Sequence, residues 1–495
     1  MPESPSPIIQ RRRFLATAGA ATFACAAQGL FSQKSLEAFL DPSQQISRQE
    51  LSALLDKVLI PSSPQLHNFA MEVYAACILG KIERPTPPFR YPWMVPGGGY
   101  FGQWLWDTMF VVDLLAVLPG KEELIRGIFQ NYWDFQQRWD AAMPVYRHGM
   151  IANFIAPYNS PGSRDGKQWR TFPAYSQIPI LAWGMERVYL RNGDLELLRA
   201  GLATLEKFHE WYWRERDILG MGLVGVGAYS GVTQEARYET YDMEIDLDGL
   251  KMISHPGRTA GANNGAWYGD IAIPSNTAYL VRSEQSLERM ATILGDHAMA
   301  ARRRARHDKG SAAMSQHMWD ENAGCYLAVH TDNLQKIGTP SVGSFMPLMA
   351  QVPAKKQAAT MVATLASPAW ATPVPIPSVP FTSPEFSSGK YWRGDSWPAA
   401  NYQVATGLAS YGLRAAAARL ADVTVENILQ HGIFERYDSL SGAGLGVAGN
   451  GMTAAAVTML LDGLTSDKYV LRVRKDGRLR QRLDDDRPAD LPMRR

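Results

Sequence analysis

The stretch YSQIPILAWGMERVYLRNGDLELLRAGLATLEKFHEWYW, Tyr175 to Trp213, decides the fold. Ile178, Leu181, Met185 and Val188 recur at spacings of three and four, which places them on one face of a helix. That helix ends at Asn192-Gly193, because glycine accepts the left-handed conformation at a helix C-terminus, and Asp194 can cap the next one. The second helix carries Leu195, Leu198, Leu202, Leu205, Phe208 and Trp211 in an apolar stripe that must pack on a neighbour. Two antiparallel helices joined by a tight turn follow.

Working outward, the same periodicity appears in 48–82, 107–139, 276–307, 353–366, 398–430 and 451–464, whereas strand-like alternation is scarce and short. Between these stretches lie Gly/Pro/aromatic-rich loops at 83–106, 141–175, 219–275 and 368–397. Loops of that length in a compact domain are usually functional. Twelve helices over residues 47–467 would average about 35 residues per helix with its loop, a suitable size for a toroid of paired helices. No fixed-period repeat supports a solenoid instead.

The chain has 495 residues, 46% hydrophobic and 20% charged, enough to bury a large core. Its formal charge of +2 conceals three zones: residues 1–26 carry net +2 and residues 468–495 net +5, which leaves −5 between them. A mildly acidic body is a poor match for phosphate backbones, so nucleic acid is not an expected partner. Cys77 and Cys325 in the body make no disulfide framework, and no Cys/His spacing suggests zinc.

The N-terminal run PSPIIQRRRFLATAGAATFACAAQG sets a basic cluster before a short Ala-rich segment, as an export signal does. Arg11, Arg12, Phe14 and Leu15 resemble the twin-arginine consensus, which implies a periplasmic or secreted protein. The expected organisation is a signal peptide over 1–26, a linker over 27–46, one helical domain over 47–467 and a solvated basic tail over 468–495. No membrane span is expected in the mature chain.

Aromatic residues gather in the loops. Tyr100, Trp104, Trp106, Tyr238, Tyr241, Tyr391, Trp392 and Trp397 stand beside Asp107, Gln177, Arg237, Asp242, Arg393 and Asp395. Flat aromatic faces with bidentate polar groups suit sugar rings, which combine apolar C–H faces with hydroxyls. A small carbohydrate is therefore the expected partner.

Five segments resemble, in order, the clan of inverting glycoside hydrolases that holds family 37 trehalases and family 63 glucosidases, including mannosylglycerate hydrolase-like proteins. WLWDTMF (Trp104 to Phe110) is similar to the motif WDS/T-x-F, and YSQIPILAWGMERVYLRNGD to the SQPP helix. SNTAYLVRSEQSLERMATILG (Ser275 to Gly295) is similar to the DLNA-type helix, YWRGDSWPAANYQVATGLASYG (Tyr391 to Gly412) to YWRGPxW, and FERYDSLSG (Phe434 to Gly442) to ExYDxxTG. The resemblance implies an all-α fold, an (α/α)6 toroid with its active site in the funnel at one end.

It also implies hydrolysis with inversion, in which one protonated carboxyl serves the leaving oxygen and one carboxylate activates water. Glu435 matches the base, Asp107 the residue that binds a sugar hydroxyl. Gln177, Arg237 and Arg393 are expected to hold further hydroxyls, with Trp106 and Trp392 as ring platforms. No metal or organic cofactor is required.

The acid departs from the family. SGVTQEARYETYDMEIDLDG (Ser230 to Gly249) lies where the clan has an ESGxDxSPR-like stretch, and aligning Ser230-Gly231 and Arg237 puts Thr233 at the acid position. Threonine is no general acid at neutral pH. Asp242 is favoured as a displaced acid because Tyr238 and Tyr241 flank it and can dry its surroundings, followed by Glu239 and then Glu235. Two other readings stay open: a polysaccharide lyase with Tyr238 or His255 as base, and a carbohydrate-binding relative without catalysis. Oligomeric state is not legible.

Overall fold

The computed structural model describes residues 46–157, 176–217, 219–228, 252–254, 267–337 and 339–474. Four of the six periodic stretches resolve into helical pairs, and 353–366 and 451–464 hold one α-helix each. Residues 48–82 give α1 (Arg48–Val58) and α2 (Pro64–Ile78), separated by β1 (Leu59–Pro61). Residues 107–139 give α3 (Leu105–Leu115) and α4 (Glu122–Ala142), and the deciding stretch gives α5 (Leu181–Asn192) and α6 (Leu195–Glu215). The turn between α5 and α6 has the expected chemistry: Gly193 sits at φ +72°, and the Asp194 side chain accepts from Leu197 N–H at 3.1 Å. Ile178 is buried but precedes α5.

Further along lie α7 (Pro274–Ile293), α8 (His297–His317), α9 (Lys355–Leu365), α10 (Pro398–Ser410), α11 (Arg414–His431) and α12 (Ala454–Leu461), which makes twelve α-helices among the described residues. Six elements form an inner ring, each packed on the next: α3, α5, α7, the 3-10 helix Val342–Leu348, α10, α12 and back to α3. Every residue of α3 is buried, and so is nearly every residue of α10 and α12, as an inner ring requires. The amphipathic helices α4, α6, α8, α9 and α11 and the α1–α2 pair lie outside. An outer helix follows each of the first five inner elements in the chain, and α2 from the N-terminal pair packs on α12, the sixth, so the inner elements begin at one mouth of the toroid. This is the (α/α)6 architecture.

Two features differ from the sequence reading. The fourth inner position is a 3-10 segment containing Pro347, too short and too irregular to show a period of 3.6. The loops also carry short strands: β2 (Ile82–Glu83) on β3 (Trp93–Met94), β4 (Gln103–Trp104) on β5 (Phe154–Ile155), and β9 (Trp319–Asp320) on β10 (Cys325–Tyr326). A further antiparallel sheet gathers β6 (Gly225–Ala228), β7 (Met252–Ser254) and β11 (Val329–His330) around β8 (Trp267–Ala272). All but β8 have two to four residues, too few for alternation to register.

Buried ion pairs tie the inner ring. Asp113 on α3 meets Arg187 and Arg191 on α5 at 2.9 and 3.0 Å, and both arginines reach Asp462 just after α12. Burial alone would raise the Asp113 carboxyl, yet the two guanidinia outweigh it and hold Asp113 below the usual range. Glu186 on α5 is likewise bound by Arg282 and Arg289 of α7. No helix among the described residues is long and apolar enough to cross a membrane.

Candidate active site

The residues matched to the family gather at the mouth where the inner helices begin. Asp107 occupies the first turn of α3, whose N-cap position, Trp104, supplies no side-chain cap. Gln177 supplies a bond instead: its Oε1 accepts from Trp106 N–H at 2.9 Å. Gln177 therefore steadies the helix start that presents Asp107, a role its expected sugar contact did not foresee.

Glu435 projects from β12 (Phe434–Tyr437), which pairs antiparallel with β13 (Gly444–Ala448). The register slips between Phe434 and Arg436, where β13 holds one residue more than its partner. Gly446 lies in this bulge at φ +73°, and a Cβ there would come within 2.2 Å of Glu435 Oε2. Glycine is required on both counts. Glu435 is only 3% exposed, and its Oε2 accepts from Val447 N–H at 3.3 Å and faces Arg436 Nη1 at 3.4 Å. Its Oε1 accepts from Tyr100 O–H at 2.5 Å. The turn that carries Tyr100 packs on the same hairpin through Gly97, where a Cβ would meet Val447 Cγ1 at 2.7 Å.

Asp107 lies near enough to Glu435 to feel its charge. Burial pushes the Asp107 carboxyl up, and the Glu435 charge pushes it further, to about 7; only its own backbone amide opposes them. Near neutral pH such a group both donates and accepts, which suits a sugar hydroxyl.

Trp106, Trp392 and Trp397 form a stack. Trp392 lies 3.9 Å from Trp397 with planes 5° apart, and 6.2 Å from Trp106 with planes 18° apart. Trp392 is thus buried between two indoles, and the accessible ring beside it is Tyr391, held at φ +55° and 38% exposed. Arg393 pairs with Glu385 at 3.1 Å. Arg237, Asp242, Glu239, Glu235, Thr233, Tyr238 and His255 lie outside the described residues; β6 and β7 lead into and out of the segment that holds the carboxyls. Among the described residues no group of three or more His, Cys, Asp or Glu is placed to hold a metal ion.

Comparison with known proteins agrees with this geometry. Residues 100–453, well over half the chain, match the model of the mannosylglycerate hydrolase MGH1-like glycoside hydrolase domain. The chain belongs to the MGH1-like glycoside hydrolase family. Its matched span opens at Tyr100 and closes just before α12, so it holds Asp107, Trp392 and Glu435. Among curated relatives of this MGH1-like protein, the trehalase of Oryctolagus cuniculus is 23% identical over 354 residues, 61% of this chain and 57% of the relative. The mannosylglycerate hydrolase of Rubrobacter radiotolerans is 33% identical over 92 residues, 19% of this chain and 20% of the relative. The MGH1-like chain spans little more than half the length of the trehalases it matches first.

Among solved structures, the family 63 mannosylglycerate hydrolase of Thermus thermophilus with Tris and D-glycerate superposes with a TM-score of 0.62 at 21% identity, covering 79% of this chain and 98% of that one. A rhamnosidase from Klebsiella oxytoca with bound rhamnose gives 0.52 at 14% identity, covering 81% and 64%. These likenesses show the toroid of the MGH1-like fold.

Sequence reasoning missed the partners of Glu435. Tyr100 stands 335 residues from it, Arg436 occupies an unspecified position of its motif, and Gly446 follows that motif. Only the fold brings them together.

Proposed function

We propose that this chain is a glycoside hydrolase that cleaves a glycosidic bond of an oligosaccharide or small glycoside with inversion. Glu435 acts as base and draws the proton from a water on the far side of the ring. The observation that carries this reading is the buried Glu435, gripped by Tyr100 and the β13 amide, beside an Asp107 that stays protonated to about pH 7. A fixed, desolvated carboxylate can orient water, and a neighbour that exchanges its proton near neutrality can hold a hydroxyl as charge develops.

The acid is assigned to the carboxyls at 235–248, with Asp242 first and Glu239 next. About 6.5 to 9.5 Å between acid and base leaves room for the water. Tyr391 offers the sugar an apolar face, backed by the buried tryptophan stack, with Arg237 and Arg393 on its hydroxyls.

Proton NMR of the protein with trehalose, mannosylglycerate, rhamnosides and a wider panel of α- and β-glycosides reports substrate and anomer together. Inverted product is expected, and Glu435→Gln is expected to bind the substrate while hydrolysing it at least a thousandfold more slowly. Retained turnover in that variant removes the assignment. The twin-arginine-like leader supports export in the folded state; Arg11→Lys with Arg12→Lys should leave the protein in the cytoplasmic fraction, and normal export would refute that route.

A further inference from the structure

One charged pair beside Glu435 has no part in the scheme above. Asp395 is fully buried; its Oδ2 accepts from Arg436 Nε at 2.6 Å and its Oδ1 from Gly389 N–H at 2.9 Å. The Arg436 guanidinium lies 5.0 Å from the Tyr391 ring centre and 5.8 Å from that of Trp397. These contacts fix the guanidinium, one edge on Asp395 and one nitrogen 3.4 Å from Glu435 Oε2. The pattern YWRGPxW places proline where this chain has Asp395, and proline offers no side-chain acceptor. The pair is therefore particular to this chain relative to that pattern.

We propose that Asp395 and Arg436 act together as positioning residues for Glu435, Asp395 anchoring the guanidinium so that it neighbours the base without tying it up. The inference rests on the reading of Glu435 as base. The two distances carry it. A charge-assisted bond runs at about 2.7–2.9 Å, so Arg436 is bonded tightly to Asp395 at 2.6 Å and makes only a long ion pair, at 3.4 Å, with Glu435. Without Asp395 the guanidinium turns onto Glu435 Oε2 and competes with water for its lone pairs. Without Arg436, Glu435 loses its cation and faces Asp395 as well as Asp107. The other groups around the trio are Tyr100 on Glu435 and Asp438 near Asp395.

The test measures kcat, KM and the pH dependence of kcat/KM for wild type, Asp395→Asn, Arg436→Met and the double variant, with melting curves to confirm folding. Each single change should lower kcat about tenfold or more with little change in KM, and the double variant should fall no further than the worse single, because the two act as a unit. The acid limb of kcat/KM should move in opposite directions, to lower pH in Asp395→Asn and to higher pH in Arg436→Met, by about half a pH unit or more. A buried arginine without its partner can fail to fold, so Arg436→Lys is included; partial return of kcat relative to Arg436→Met supports the pair. Additive losses or an unmoved acid limb, in an enzyme that Glu435→Gln inactivates, overturn the pair alone. A wild type without turnover on any glycoside overturns the hydrolase reading, and turnover that survives Glu435→Gln overturns the base; the pair's role falls with either.

Discussion

Asp107 illustrates how much of the chemistry is set by one side chain's surroundings. In solution its carboxyl loses a proton at about pH 4, whereas in the fold burial and Glu435 delay that loss to about 7. Between those values the folded chain holds more protons than the unfolded one, so this group's contribution to stability declines as pH rises from 4 to 7, by a few kcal/mol. Asp107→Asn is neutral throughout and should flatten that decline: urea midpoints of variant and wild type should agree most closely near pH 4.5 and diverge towards pH 7.5 in the variant's favour. A constant offset across that range would remove Asp107 as the cause. The sequence already marks Asp107 through its motif, but its proton affinity depends on Glu435, brought beside it from 328 positions further along the chain by ring closure. Gly446 teaches the same lesson, since nothing in a Gly-rich hairpin sequence announces that a side chain there would collide with the base.

At the scale of elements, the helical pairs are legible because each buries a stripe at period 3.6, as α5 and α6 do from Leu181 to Trp211. The inner 3-10 helix and the two-residue strands are not, because their geometry comes from neighbours and not from local pattern. The ion network joining α3, α5 and the end of α12 is also invisible locally, and it has energetic weight. Asp462→Ala leaves two buried guanidinia to share Asp113, and breaking a buried network in this way costs about 3–5 kcal/mol. The urea midpoint should fall accordingly with an unchanged m-value. Glu72→Ala, which removes the exposed pair with Arg48, should leave the midpoint where it was. Equal effects from the two would show that the inner ring does not depend on this clamp.

Over the whole molecule, closing a ring of helices leaves a seam where the first and last elements meet. Here the seam is a two-stranded sheet: β1 (Leu59–Pro61) pairs with β14 (Leu471–Val473). Leu471 is buried, Arg474 N–H donates to Val58 O at 2.7 Å, and Ser62 N–H donates to Val470 O at 2.8 Å. The sequence reading began a solvated tail at Lys468, on the strength of its charge. Six of the ten basic residues counted there follow Lys475, while the apolar residues of 469–473 dock on the body. The charge count averaged over two segments of different kind. Removing residues 475–495 should therefore leave the melting temperature unchanged, because the pairing of β1 with β14 is kept whole. Removing 468–495 strips β1 of its partner and takes away Leu471, which together cost about 3 kcal/mol. The longer truncation should lower the melting temperature by several degrees and increase protease cleavage near Ile60. If both truncations melt alike, the seam does not hold the ring closed, and the helical packing from α1 to α12 suffices alone.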